Sequence, residues 1–242
     1  MKRYRLRVKQ FFSPCAYLIA LVLLTSCAKT SLPPAYRTSG TANLYELKHS
    51  KNLSYLPIKG YQQTEEYSCG PAMVMSLLRY YHKLSAAEMT KATELRIAKE
   101  MGTSLDTGTS PQQIIRWLKR YGFKVKVGTG GNLALLQHNL RQGIPTLVEW
   151  IDWGGHWVIV AGYYQGGTTL DAGKDTIFFA DSAAHYANVT NPDGITAFNA
   201  DRFNSMWFDA QYFKPGHIVK GIYIVATPII DKDADQSSRH IR

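Results

Sequence analysis

The stretch from Gln63 to Leu78, reading Gln-Thr-Glu-Glu-Tyr-Ser-Cys-Gly-Pro-Ala-Met-Val-Met-Ser-Leu-Leu, constrains this chain more than any other. It sets one cysteine, Cys69, at the threshold of an amphipathic helix, six positions after a glutamine. Met73, Val74, Leu77, Leu78 and Tyr81 follow the i, i+1, i+4, i+5, i+8 stripe of a helix face. Ser68 is placed to cap, Pro71 suits the first turn, and the pattern runs unbroken to His82. A thiol in such a position meets unpaired backbone N–H groups and the positive end of the helix dipole, which favour its nucleophilic form. The question is whether the rest of the chain supplies a base.

The first residues read as a targeting segment. Lys2, Arg3, Arg5, Arg7 and Lys9 form a basic start, and Cys15 to Leu24 is an apolar run too short to span a bilayer as a mature helix. It ends in Leu24-Thr25-Ser26-Cys27, which resembles the lipobox of bacterial lipoproteins. That resemblance implies cleavage of a signal over residues 1–26 and lipid on the thiol and amine of Cys27. Ala28 after the cysteine implies outer-membrane sorting, on the periplasmic side, in a Gram-negative source.

Removing the signal changes the arithmetic. The formal charge of +10 loses five basic residues, leaving 23 basic against 18 acidic, or +5. The remaining basic residues are scattered rather than interleaved with aromatics, so nucleic-acid binding has little support. With Cys15 discarded and Cys27 lipidated, Cys69 is the one free thiol of the mature chain, and no disulfide framework can form. An unpaired cysteine in an oxidising compartment is a liability unless it is buried or used.

At 242 residues, 45% of them hydrophobic, one globular domain is expected, over residues 51–228. Residues 27–50 read as the lipidated cysteine and a flexible tether, and the polar tail over 229–242 as disordered. Tyr55 to Tyr61 reads as a short extended strand. After the cysteine helix, Ser85-Ala-Ala-Glu88 resembles a capping box opening a second helix toward Met101. Ser110-Pro111 opens a third, with Ile114, Ile115, Leu118 and Tyr121 toward the core and Gly122 as its stop. Phe123 to Val127 alternates like a half-exposed strand, and Asn132 begins a fourth helix ending at Gly143. Residues 144–150, 156–164, 176–180 and 218–227 read as strands, with one more helix between Ala197 and Phe208. Helices first and strands afterward predict an α+β fold, N-terminal helices packed on an antiparallel sheet.

Three more residues complete a candidate site. His156 opens the most apolar strand and follows Gly154-Gly155, where glycines allow close approach of another chain. Asp181 ends the strand Thr-Ile-Phe-Phe-Ala-Asp; if the two strands pair, its carboxylate can fix the tautomer of His156. Gln63, with Gln62 as its competitor, offers an amide donor for the oxyanion that acyl transfer builds. Trp153 and Trp157 flank His156, as groove walls or as core. A metal at Cys69, His156 and Asp181 is conceivable, but HExxH and paired CxxC patterns are absent, so no metal and no cofactor is expected.

Gln-x5-Cys-Gly-Pro-Ala, then a Gly-His-aromatic-Val strand, then an Asp closing a further strand, together resemble the C39 and C39-like families of papain-fold cysteine peptidases, over about residues 52–228. The resemblance implies a papain-like fold with Cys69 as nucleophile, His156 as base and acid, Asp181 orienting it and Gln63 lining the oxyanion hole. Trp153, Gly155 and Trp157 are then candidates for substrate binding. Many members are domains of bacteriocin-exporting transporters that cut leader peptides after a double glycine. No transporter domain follows here, and Asp181 precedes Ser182 where the family often has Pro, which keeps Asp175 and Asp171 as alternatives. The expected partners are a peptide or protein substrate, the membrane, and machinery for export or surface assembly. Acyl transfer to an amine, and peptide binding without cleavage, are the competing functions.

Overall fold

Clusters of β-branched and aromatic residues, mostly in the second half, build a seven-stranded antiparallel sheet. The structure, a computed structural model, describes residues 42–166, 174–184, 193–209 and 217–229. Its strands are β1 (Leu53–Tyr55), β2 (Phe123–Gly128), β3 (Thr146–Trp150), β4 (His156–Tyr164), β5 (Thr176–Asp181), β6 (Ile195–Asn199), β7 (Phe208–Asp209), β8 (Val219–Lys220) and β9 (Tyr223–Pro228). Seven of them pair in the order β2-β9-β3-β4-β5-β6, with β1 on β4; β7 and β8 form a separate pair. β3 covers His156 to Val160 along one edge of β4, and β1 covers Gly162 to Tyr164. Between them the register shifts in a bulge, where the Ala161 carbonyl accepts from the Leu56 N–H at 2.8 Å.

Among the described residues there are five α-helices, α1 (Cys69–Tyr80), α2 (Lys91–Met101), α3 (Pro111–Arg120), α4 (Leu133–Arg141) and α5 (Ala200–Met206); four pack on the sheet and α2 packs on α1 and α3. α1 lies against β4 and β5, α3 against β2 and β9, α4 against β1 and β4, and α5 against β5 and β6. The fold is α+β, as expected.

Local chemistry corrects several boundaries. α1 is buried on every side from Cys69 to Leu78, so the expected stripe understates it. Ser68 sits at the cap position but makes no side-chain cap bond; its hydroxyl is drawn to Glu94 instead. The Ser85–Glu88 capping box forms, yet it opens only a single turn, Ala86–Glu88. Thr90 then adopts an extended conformation and caps α2 afresh through Thr93. In α3 the buried aromatic is Trp117, while Tyr121 is an exposed cap stacked on it at 4.4 Å. The strand expected over 55–61 lies earlier, at 53–55, and the one expected over 218–227 breaks at Gly221, whose φ is +63°. β6 went unpredicted.

Part of the segment expected as tether is packed. Leu44 is buried in the core, and the Tyr45 hydroxyl donates to Asp193 at 2.8 Å, so the packed unit begins before residue 50. The signal, Cys27 and the tail from Asp231 lie outside the described residues.

Candidate active site

The segment between β1 and α1 is what carries the cysteine to the sheet. Its Gly60 N–H donates to Asp193 at 2.9 Å and its Gln63 N–H to Ser182 at 3.0 Å, so it runs beside the end of β5. Gly60 is required there: an added Cβ would lie 2.4 Å from the Gly194 carbonyl oxygen and 2.6 Å from the backbone of Asp181. Cys69 then opens α1, and Gly70 lets Thr109 cross its first turn at a distance that any side chain would block.

His156 and Asp181 come together through register. Val158 pairs with Asp181 across β4 and β5, and His156, two residues before Val158, shares the same face. The imidazole Nε2 and Asp181 Oδ1 are 2.8 Å apart, both groups buried. Asp181 also accepts from the Ala183 N–H at 2.8 Å and the Thr196 hydroxyl at 2.9 Å. A side-chain hydrogen bond joins His156 to Cys69; with Nε2 held by Asp181, Nδ1 is the nitrogen left for it.

The electrostatics follow from this packing. Burial works against a charged imidazole, but the bonds to Asp181 and Cys69, reinforced by their charges, outweigh it and push His156 up to about 10. Burial likewise works against the Asp181 carboxylate; His156, the Ala183 amide and the Thr196 hydroxyl overcome it and hold the group below its ordinary range. Asp181 and Cys69 thus both favour the charged form of the imidazole.

Gln63 is fastened into the loop. Its Nε2 donates to the carbonyls of Glu65 at 2.9 Å and Glu66 at 3.2 Å, and its Oε1 accepts from the Ser182 hydroxyl at 2.7 Å. Ser182, the residue after Asp181, thus ties the glutamine to the end of β5. Of the alternatives to Asp181, Asp175 accepts from the Tyr163 hydroxyl at 2.8 Å at the far end of β5, and Asp171 lies outside the described residues. Gly154 and Gly155 have φ of +84° and +135°, which explains both glycines before the histidine. Trp157 belongs to the core rather than a groove wall: it is 1% exposed and its Nε1 donates to the Thr109 carbonyl at 2.8 Å. The Trp153 side chain lies outside what the structure describes.

Two residues near the site carried no sequence signal. Thr196 lies on the unpredicted β6. Glu149 lies on β3, where alternation suggests a solvent-facing acid, yet it is 1% exposed and neither carboxylate oxygen has a hydrogen-bond partner. Burial first, then the charges of Asp209 and Cys69, raise it to about 9. A raised acid costs nothing where both folded and unfolded states are protonated, and costs more as pH climbs from about 4.5 toward 9. At pH 7 that cost is about 3 kcal/mol. Glu149→Gln is therefore expected to be more stable than the parent at pH 8 and indistinguishable from it near pH 4, as read by denaturant melts across that range.

The chain is similar to known peptidases. A sequence model described as "Peptidase_C39 like family" matches residues 55–210. The peptidase domain of Streptococcus ComA, a bi-functional ABC transporter involved in a quorum-sensing pathway, is similar at 18% identity and TM-score 0.49, covering 71% of this chain and 99% of that one. A double glycine motif protease from an AMS/PCAT transporter, solved with its leader peptide, is similar at 15% identity and TM-score 0.47, covering 74% and 96%. No curated protein matches the chain. Since the family match spans more than half of the sequence, from β1 through the cysteine, histidine and aspartate to β7, the chain belongs to the Peptidase_C39 like family of cysteine peptidases.

Proposed function

We propose that this chain is a lipid-anchored peptidase that hydrolyses a peptide bond through Cys69, His156 and Asp181. The observation that carries the reading is the buried Cys69–His156–Asp181 chain of hydrogen bonds, with the imidazole raised by both neighbours. Cys69 Sγ attacks the substrate carbonyl carbon as its proton resides on His156 Nδ1. The oxyanion is met by the Cys69 N–H, which has no partner inside the helix, and by Gln63, which passes one amide hydrogen from a loop carbonyl to the new charge. His156 then gives its proton to the leaving amine. The carbonyl carbon remains bound to sulfur as a thioester, and water, activated by the same imidazole, releases the acid.

A peptide with a Gly-Gly pair before the scissile bond is the first substrate to try. The expected result is cleavage after the second glycine by the native protein, with two peptide products by mass and no product carrying an added amine acceptor. Amine-capped product alone would make the protein a transferase; binding without either product would overturn the reading.

Anchoring is supported by the basic start, the short apolar run and Leu24-Thr25-Ser26-Cys27. The native protein is expected in the membrane fraction with acyl mass on an N-terminal Cys27. Cys27→Ala is expected to lose that modification; an unmodified Cys27 in membrane-bound protein would contradict the anchor.

A further inference from the structure

The loop that joins Gln63 to Cys69 has an unusual fastening. Residues 64–67 are bend and turn, and Ser68 does not cap α1. Instead, Glu94 of α2 reaches into the loop, fully buried. Its Oε1 accepts from the Ser68 hydroxyl at 2.5 Å and the Thr64 N–H at 2.9 Å. Its Oε2 accepts from the Thr64 hydroxyl at 2.8 Å and again from the Thr64 N–H at 3.2 Å. Thr64 follows Gln63 and Ser68 precedes Cys69, so one carboxylate holds both ends of the segment. A second tie lies outside it, the exposed Lys91–Glu65 pair at 2.8 Å.

We propose that Glu94 is a positioning residue for the reaction, setting Gln63 and the Cys69 N–H at the distance one oxyanion requires. The proposal rests on the peptidase reading above. A buried carboxylate costs far more than a neutral core side chain unless its hydrogen bonds are made. Here every donor to it comes from the loop that carries the site. Generic packing would be served by an apolar residue; a side chain with two polar atoms at its tip is needed to take Thr64 and Ser68 together. The opposite side of the loop is held by Ser182, which bonds both the backbone and the side chain of Gln63. Gln63 is thus clamped between α2 and the residue next to Asp181. Displacement of such a donor by an ångström costs catalysis while leaving ground-state binding largely intact.

The test uses the full chain, with Glu94→Ala, Glu94→Gln and Thr64→Val. Glu94→Ala is expected to lower kcat by roughly 10- to 100-fold with KM within about twofold. Its rate of Cys69 alkylation by iodoacetamide, which forms no oxyanion, is expected to stay near that of the parent. Glu94→Gln is expected to recover most of the loss, because Ser68 can turn its hydroxyl to the Glu65 carbonyl 2.9 Å away and accept from the amide. Thr64→Val, which keeps the backbone bond, is expected to show a smaller loss of the same kind and serves if Glu94→Ala does not fold. A lower melting temperature with unchanged kcat per folded molecule, or equal losses in kcat and alkylation, would overturn the proposal. If the parent cleaves no peptide, the peptidase reading fails separately, and the clamp is read from amide exchange. Faster exchange confined to residues 63–69 in Glu94→Ala supports it; uniform or unchanged exchange overturns it.

Discussion

Cys69→Ala is expected to abolish peptide hydrolysis, lowering turnover by on the order of 10^5- to 10^6-fold, while the fold survives. Removing a nucleophile that acts as a unit with its base costs nearly everything the unit contributes, and only binding and oxyanion stabilisation remain. Cys69 is the sole free thiol among the described residues. Alanine suits the first turn of α1, which needs neither a cap bond from this position nor its sulfur for packing of the helix beyond it. The loss should therefore appear in initial rates with far-UV dichroism unchanged. Residual hydrolysis above a small fraction of the parent rate would mean that another group performs the attack.

Asp181→Asn is expected to lower kcat/KM by about 10^4-fold, for a reason the hydrogen bonds specify. Asp181 accepts at Oδ1 from His156 and Ala183 and at Oδ2 from Thr196. Asparagine offers one acceptor oxygen in place of two. If its amide faces the imidazole, it donates to Nε2 and leaves the ring proton on Nδ1, where His156 cannot accept from Cys69. If it faces Thr196, His156 keeps its tautomer but loses the charge that stabilises the imidazolium. Either way the base is weakened. The same pair has a pH signature. The raised His156 contributes stability that is full below its unfolded value of 6.5 and lost as pH rises toward about 10; the lowered Asp181 contributes stability present above 3.8 and lost as pH falls below it. Their joint contribution is largest between those unfolded values, and Asp181→Asn should flatten the stability profile on both sides of that window. An unchanged profile would mean the pair is not ionised in the folded state.

Much of the site was legible because its elements are local. A cysteine before an apolar stripe, glycines before a histidine and an acid at a strand end each have their own chemistry, and their order along the chain matches the family. Register supplied the rest: Asp181 reaches His156 only because β4 and β5 pair with Val158 opposite it. What sequence reading missed depends on tertiary partners. Ser68 looks like a cap until a buried Glu94 competes for its hydroxyl. Glu149 looks like the polar half of an alternating strand, whereas β3 is covered on both faces. Thr196 sits on a strand whose short alternating run, Ile-Thr-Ala-Phe-Asn, was overlooked beside the helix signal that follows.

In the proposed reaction Cys69 becomes acylated by the substrate. With a Gly-Gly peptide ester as substrate, intact mass after rapid acid quench is expected to show a transient adduct equal to the N-terminal acyl fragment, mapped to Cys69, discharged by hydroxylamine and absent in Cys69→Ala. Cleavage that proceeds with no adduct at Cys69, and persists in Cys69→Ala, would contradict this reaction.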